Sequence, residues 1–112
     1  MAGSYVLEKS ENTGKFYFNL KAGNHEVILT SQMYADKGGA MNGIESCRTN
    51  GVLDERFERK TAKDGSPFFS LNAGNGQIIG KSEMYSSESA RDNGIESVKK
   101  NAADAELKDK TA

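Results

Sequence analysis

His25 and Cys47 are each the only residue of their type in the 112-residue chain, so imidazole and thiol chemistry rest on one side chain apiece. A general base needs a partner that orients it, and His25 stands in a turn with none placed beside it. A nucleophilic thiol needs a lowered pKa and access. A single cysteine makes neither an internal disulfide nor a cysteine-based zinc site, and it fits a reducing compartment. Glu45 and Glu96 would suit acid–base or metal chemistry if brought together; on separate helix faces they read as surface ion-pair partners, with Lys100 four residues beyond Glu96. Ala22-Gly23-Asn24-His25 and Ala73-Gly74-Asn75-Gly76 invite comparison with phosphate loops. A phosphate loop leads from a strand into a helix, whereas these lead from strand to strand and read as hairpin turns. The sequence thus carries no catalytic, metal-binding or nucleotide-binding signature, and the expectation is a protein that is not an enzyme and has no cofactor or metal.

The elements that carry these residues come in two copies. An offset of 51 residues aligns residues 16–50 with 67–101 without a gap, and 15 of the 35 positions are identical. Phe18-Asn19-Leu20-Lys21-Ala22-Gly23-Asn24 matches Phe69-Ser70-Leu71-Asn72-Ala73-Gly74-Asn75. Ser31-Gln32-Met33-Tyr34 matches Ser82-Glu83-Met84-Tyr85, and Asn42-Gly43-Ile44-Glu45-Ser46 matches Asn93-Gly94-Ile95-Glu96-Ser97. Such a repeat marks one supersecondary unit used twice.

Each unit reads as β-β-β-α. Tyr5 to Lys9 and Phe57 to Lys60 are first strands, with the aromatic one step out of register between copies, so a bulge or a shifted start is expected. Phe16, Phe18 and Leu20 alternate with Tyr17, Asn19 and Lys21, the period of a half-buried strand. Pro67 stands where the first copy has Phe16; lacking an amide, it should open its strand or lie at an edge. Gly23-Asn24 and Gly74-Asn75 suit a two-residue primed turn. Asp36 and Ser87 suit helix N-caps. Ala40, Ile44 and Cys47 fall on one helical face, whereas Arg91 replaces Ala40 in the second copy. Gly43 and Gly94 lie inside the helices at about 0.5–1 kcal/mol each, which implies a close backbone approach to the sheet. Asn50 and Asn101 suit a left-handed residue at the helix end. One unit of about fifty residues makes a thin core. The expectation is therefore one α+β domain over residues 1–101, built from repeats 5–51 and 56–102. Its sheet has about six mostly antiparallel strands with two helices packed on it. Residues 102–112 are polar and read as a disordered tail or frayed helix end.

The Phe18-x-Leu20-Lys21-Ala22-Gly23-Asn24 pattern, the Ser31-Gln32-Met33-Tyr34 step and Gly43-Ile44-Glu45-Ser46, repeated in the second copy, resemble the YegP-like family of small bacterial proteins. The resemblance covers Tyr5 to Asn101. It implies an α+β fold of two such repeats, with shorter relatives that carry one repeat and pair as dimers. It implies no activity.

Lys and Arg number 15 against 16 Asp and Glu, so the basic excess that marks nucleic-acid binders is missing. No apolar run reaches the ~18 residues of a membrane span and no signal peptide precedes Tyr5, so the reading is a cytoplasmic protein without membrane contact. Because the repeats complete each other, a monomer is expected. A two-residue turn sends Tyr17, Ile28, Phe68 and Ile79 to the sheet face away from the helices, where they form an apolar patch for a protein or peptide partner. A three-residue loop turns Ile28 and Ile79 inward instead. The leading functional expectation is a small binding module; the alternative is a small-ligand site or an unrecognised enzyme at the cleft between repeats.

Overall fold

The computed structural model describes residues 3–111. In chain order the elements are β1 (Ser4–Lys9), β2 (Phe16–Lys21), β3 (Val27–Ser31), α1 (Lys37–Asn50), a short 3-10 turn (Asp54–Arg56), β4 (Phe57–Thr61), β5 (Pro67–Asn72), β6 (Ile78–Lys81), α2 (Glu88–Asn101) and β7 (Glu106–Asp109). They make one seven-stranded sheet in the order β4-β5-β6-β3-β2-β1-β7. All neighbours are antiparallel except β7, which runs parallel to β1. The pseudo-two-fold axis passes between β3 and β6, where Thr30 faces Lys81 and Ser31 faces Gly80. Both helices lie on one face of the sheet. Each crosses the axis: α1 packs on β2 and reaches β5 and β6, while α2 packs on β5 and reaches β3. Each repeat's apolar face is thus covered partly by its own helix and partly by the other repeat's.

The segment after α2 corrects the expectation of a disordered tail. Ala102 and Ala105 are buried, and the Tyr5 hydroxyl donates to the Ala102 carbonyl at 2.5 Å. That anchor turns the chain back onto β1, where Leu107 packs against the core and the edge of β1 gains a partner. Lys37 and Asp109 then form an ion pair at 2.5 Å. A single apolar residue in Glu-Leu-Lys-Asp hides this strand from periodicity.

Of the two expected hairpin forms, the structure has the three-residue loop. Ala22 N donates to Glu26 O and His25 N to Ala22 O, both at 2.9 Å, so the loop holds three residues. Its last residue is left-handed, His25 at φ 70° and Gly76 at φ 87°, as a type I turn followed by a bulge requires. The register then slips between Leu20 and Lys21, and again between Leu71 and Asn72. Leu20 therefore faces Leu29, and the extra residue turns Ile28 and Ile79 into the core at 6% and 4% exposure. The one-step offset of the first aromatic has a simpler origin than a bulge in the strand. Tyr5 faces Leu20 and Phe57 faces Leu71, and the turn closed by Ser10 and Lys15 holds one residue more than that closed by Ala62 and Ser66. Pro67 opens β5 as its missing amide demands.

Repeated residues recur in repeated contacts. Asp36 and Ser87 cap their helices by accepting from Gly39 N and Ala90 N at 2.7 and 3.0 Å. Phe18 meets Tyr5 edge-on at 5.8 Å and stacks on Tyr34 at 6.5 Å; Phe69 does the same with Phe57 at 5.7 Å and Tyr85 at 6.2 Å. The Tyr34 ring lies against Gly43 so closely that a Cβ would overlap its hydroxyl, and Tyr85 does the same at Gly94. The helix glycines thus accommodate a tyrosine, not the sheet backbone. The Ser31 hydroxyl accepts from Phe18 N at 2.9 Å and donates to Gln32 O at 2.8 Å, a pattern Ser82 repeats. Asn50 and Asn101 are not left-handed; the residues after them are right-handed, at φ −67° and −57°. They act as staples. Asn101 accepts from Gly3 N at 3.1 Å ahead of β1, and Asn50 accepts from Arg56 Nε at 3.0 Å ahead of β4. At the axis, Gly80 lies against Leu29, and a Cβ on it would stand 2.7 Å from Thr30 O and 3.1 Å from Leu29 Cγ.

Candidate functional site

Because each helix packs on its own repeat and reaches across to the other repeat's hairpin, two grooves form along the seams. The first, about 380 Å³, runs between α1 and the β5–β6 hairpin. Tyr34, Asn42, Gly43 and Ser46 form one wall, Ala73, Gln77, Ile78 and Ile79 the other, and Gln32 lies at one end. None of these side chains is charged. Three are carboxamides, each offering a donor and an acceptor. Asn42 is exposed and makes no hydrogen bond among the described residues. Burial raises the Tyr34 phenol above its ordinary pKa, with the Cys47 thiol adding to the shift, so the hydroxyl is a neutral hydrogen-bonding group at physiological pH. Met33, between Gln32 and Tyr34 in sequence, is 51% exposed, as is its equivalent Met84 at 55%.

The second groove, about 430 Å³, runs between α2 and the β2–β3 hairpin, lined among the described residues by Ala22, Gly23, Asn24, Ser97, Lys100 and Asn101. Its Ala22 and Ser97 are the pseudo-equivalents of Ala73 and Ser46, but the groove lies nearer the hairpin tip. The equivalents of Gln32 and Gln77 are Glu83 and Glu26, and both carboxylates raise the Tyr85 phenol after burial, the main cause. The two seams therefore differ in charge: the first is lined by uncharged side chains, while Lys100 lines the second and Glu26 and Glu83 act on Tyr85.

Residues 11–58 and 62–109 each match the family described as "Domain of unknown function (DUF1508)". The chain belongs to this family. The second matched unit ends at Asp109, so β7 lies inside a family unit, where the sequence reading placed a tail. A UPF0339 protein of Bordetella pertussis is 56% identical over 111 residues, 99% of this chain and 98% of that protein. The UPF0339 protein YegP of Escherichia coli O157:H7 is 49% identical over 99% of this chain and all of its own. A solution NMR structure of a UPF0339 protein from Shewanella oneidensis superposes with a TM-score of 0.91 at 55% identity, covering 99% of this chain and 93% of that one. That of E. coli YegP, described as of unknown function, gives 0.93 at 48%, covering 100% and 96%. The expected two-repeat α+β fold of a YegP-like protein is thereby established.

The predicted patch does not form as drawn. Ile28 and Ile79 belong to the core, and Ile79 also reaches the first groove. Tyr17 and Phe68 remain half-buried on the face away from the helices, opposite Glu8 and Lys60, with polar Asn19, Thr30, Lys81 and Ser70 between them. His25 is a left-handed turn residue. Cys47 is fully buried, and desolvation pushes its thiol up to about 11, which suits a packing residue. Glu45 and Glu96 do not converge; each pairs three residues on, with Arg48 at 3.4 Å and Lys99 at 3.3 Å, and Lys100 takes no part. Among the described residues no three His, Cys, Asp or Glu side chains gather, and no helix is long and apolar enough to cross a membrane. Asn42, which lines the first groove, was missed as a site residue. The available signal was identity between copies at a polar position that helical periodicity turns to solvent.

Proposed function

We propose that this protein is a binding module that holds an extended peptide segment in the groove between α1 and the β5–β6 hairpin. The observation that carries the reading is the lining: Gln32, Asn42 and Gln77 with the Tyr34 and Ser46 hydroxyls, beside Ile78 and Ile79. A side-chain carboxamide presents a donor and an acceptor side by side, the complement of a peptide unit. The isoleucines offer apolar contact for alternate side chains of the ligand. A volume of about 380 Å³ lies within the range of ordinary ligand sites.

The test is titration of isotope-labelled protein with a pool of random N-acetylated pentapeptides, followed by amide NMR. Asn42, Ser46 and Gln77 are expected to shift together. Asn42→Ala removes a side chain with no internal partner, so it should weaken binding about tenfold while leaving the melting temperature in place. Shifts confined to the sheet face around Tyr17 and Phe68 would refute the groove. A small uncharged ligand at the same seam is the second reading, favoured by the groove's volume and uncharged lining; it predicts shifts with amide-bearing metabolite fragments and none with peptides.

A further inference from the structure

We infer that the tip of each repeated hairpin is a carboxylate site, and that Gly74 and Asn75, with Arg56, take the C-terminal carboxylate of the peptide held in the groove. This rests on the peptide reading above. The β5–β6 tip closes through Ala73 N to Gln77 O and Gly76 N to Ala73 O, and Gln77 N is bound by the Asn75 side chain at 3.0 Å. The amides of Gly74 and Asn75 are left without a partner among the described residues. Successive free amides in a turn make a concavity suited to an anion.

A cation stands over that turn. The Arg56 Nε donates to Asn50 Oδ1 at 3.0 Å, which fixes the guanidinium and leaves its terminal nitrogens to a ligand. Its Nη2 lies 3.5 Å from where a Cβ on Gly74 would be. Arg56 forms no ion pair among the described residues. A guanidinium held at one nitrogen can still present a planar fork to a carboxylate.

Gly74 itself has no structural reason to be glycine. Its φ is not in the left-handed region, and an added Cβ would meet only the flexible end of Arg56 at ordinary contact distance. What glycine provides is an uncovered backbone that a ligand can approach. Ala-Gly-Asn recurs at the other tip, and so does the charge, by a different route. There Lys100 of α2 lines the cavity beside Gly23 and Asn24. Two cations from unrelated positions meet the same turn sequence in both copies. The tip also continues the groove: Ala73 lines it and precedes Gly74, and Ser46 lines it one helical turn before Asn50, which holds Arg56. An uncharged channel ending on a cation is what a peptide terminus fits.

The experiment uses the full chain and two pools of random N-acetylated pentapeptides, one with free carboxylates and one amidated. The free acids are expected to bind about tenfold tighter and to shift the Gly74 and Asn75 amides. Arg56→Gln should abolish the preference, and Arg56→Lys should keep part of it. Gly74→Val covers the amides at an exposed tip and should also reduce it without lowering the melting temperature. Equal binding of both pools, with Asn42 and Gln77 still shifting, overturns the carboxylate site and leaves the peptide reading standing. No shift at Asn42 or Gln77 with either pool overturns both. If inorganic phosphate shifts Gly74 and Asn75 while the free acids do not, the tip binds a free anion and the terminal-carboxylate assignment fails.

Discussion

Gly43→Ala tests whether a tyrosine, and not helix propensity, dictates the residue inside α1. Alanine stabilises a helix interior by about 0.5–1 kcal/mol relative to glycine. The new Cβ, however, would overlap the Tyr34 hydroxyl and stand 2.7 Å from its Cζ and 3.1 Å from Phe18 Cε2. Tyr34 is held by stacking on Phe18, and its backbone N and O bond to Phe16, so the ring has little room to retreat. Overpacking of this kind costs about 1–3 kcal/mol. The net expectation lies between no change and a loss of about 2.5 kcal/mol, which for a domain near this size lowers the melting temperature by up to roughly 20 °C. Thermal and urea unfolding followed by far-ultraviolet circular dichroism read it directly. In a Tyr34→Ala background the same glycine substitution should become neutral or stabilising, and the cycle gives a coupling of about 1–3 kcal/mol. Equal effects in the two backgrounds would show that the ring does not constrain position 43, and the account of both helix glycines would fail.

Asn101→Ala removes the acceptor for Gly3 N and the donor to Ser97 O, and urea unfolding should show a loss of about 1–3 kcal/mol. His25→Gly relieves a left-handed residue at the position where the second copy already has Gly76, and should raise stability by up to about 1 kcal/mol. The Lys37 ammonium, with Thr111, holds the Asp109 carboxyl down at about 2. Its contribution is therefore complete above the ordinary unfolded value of about 3.9 and is lost as pH falls toward 2. Amide shifts of Leu107 to Lys110 should titrate with a midpoint near pH 2 in the native chain, below the ordinary carboxylate range, and not in Asp109→Asn. Cys47→Val copies the second repeat's Val98 and should change stability by under about 1.5 kcal/mol on thermal unfolding.

The architecture was largely legible because repetition removes ambiguity. Phe18-x-Leu20 and Ile44 with Cys47 announce a strand and a helix once each, and Phe69-x-Leu71 and Ile95 with Val98 repeat the message at a fixed spacing. What stayed hidden depends on single residues. The loop length that buries Ile28 and Ile79 is set by which residue adopts positive φ, and His25 gives no hint that Gly76 would have given alone. Strand β7 depends on an anchor distant in sequence, the Tyr5 hydroxyl on Ala102. The grooves arise because the helices cross the axis, and no local pattern encodes a crossing. Asn42, Gln77 and Arg56 come together only through that arrangement.

The contact between Leu29 and Gly80 bears on how the two halves can be combined. These residues occupy the same place in the repeat, 51 positions apart, yet one fills the space the other leaves. Two first halves joined about the same axis would set leucine against leucine, and two second halves would leave a hollow. The duplication has thus diverged into a plug and a socket. Each half is fitted to the other and no longer to itself, so swapping either for a second copy of its sibling should spoil the midline.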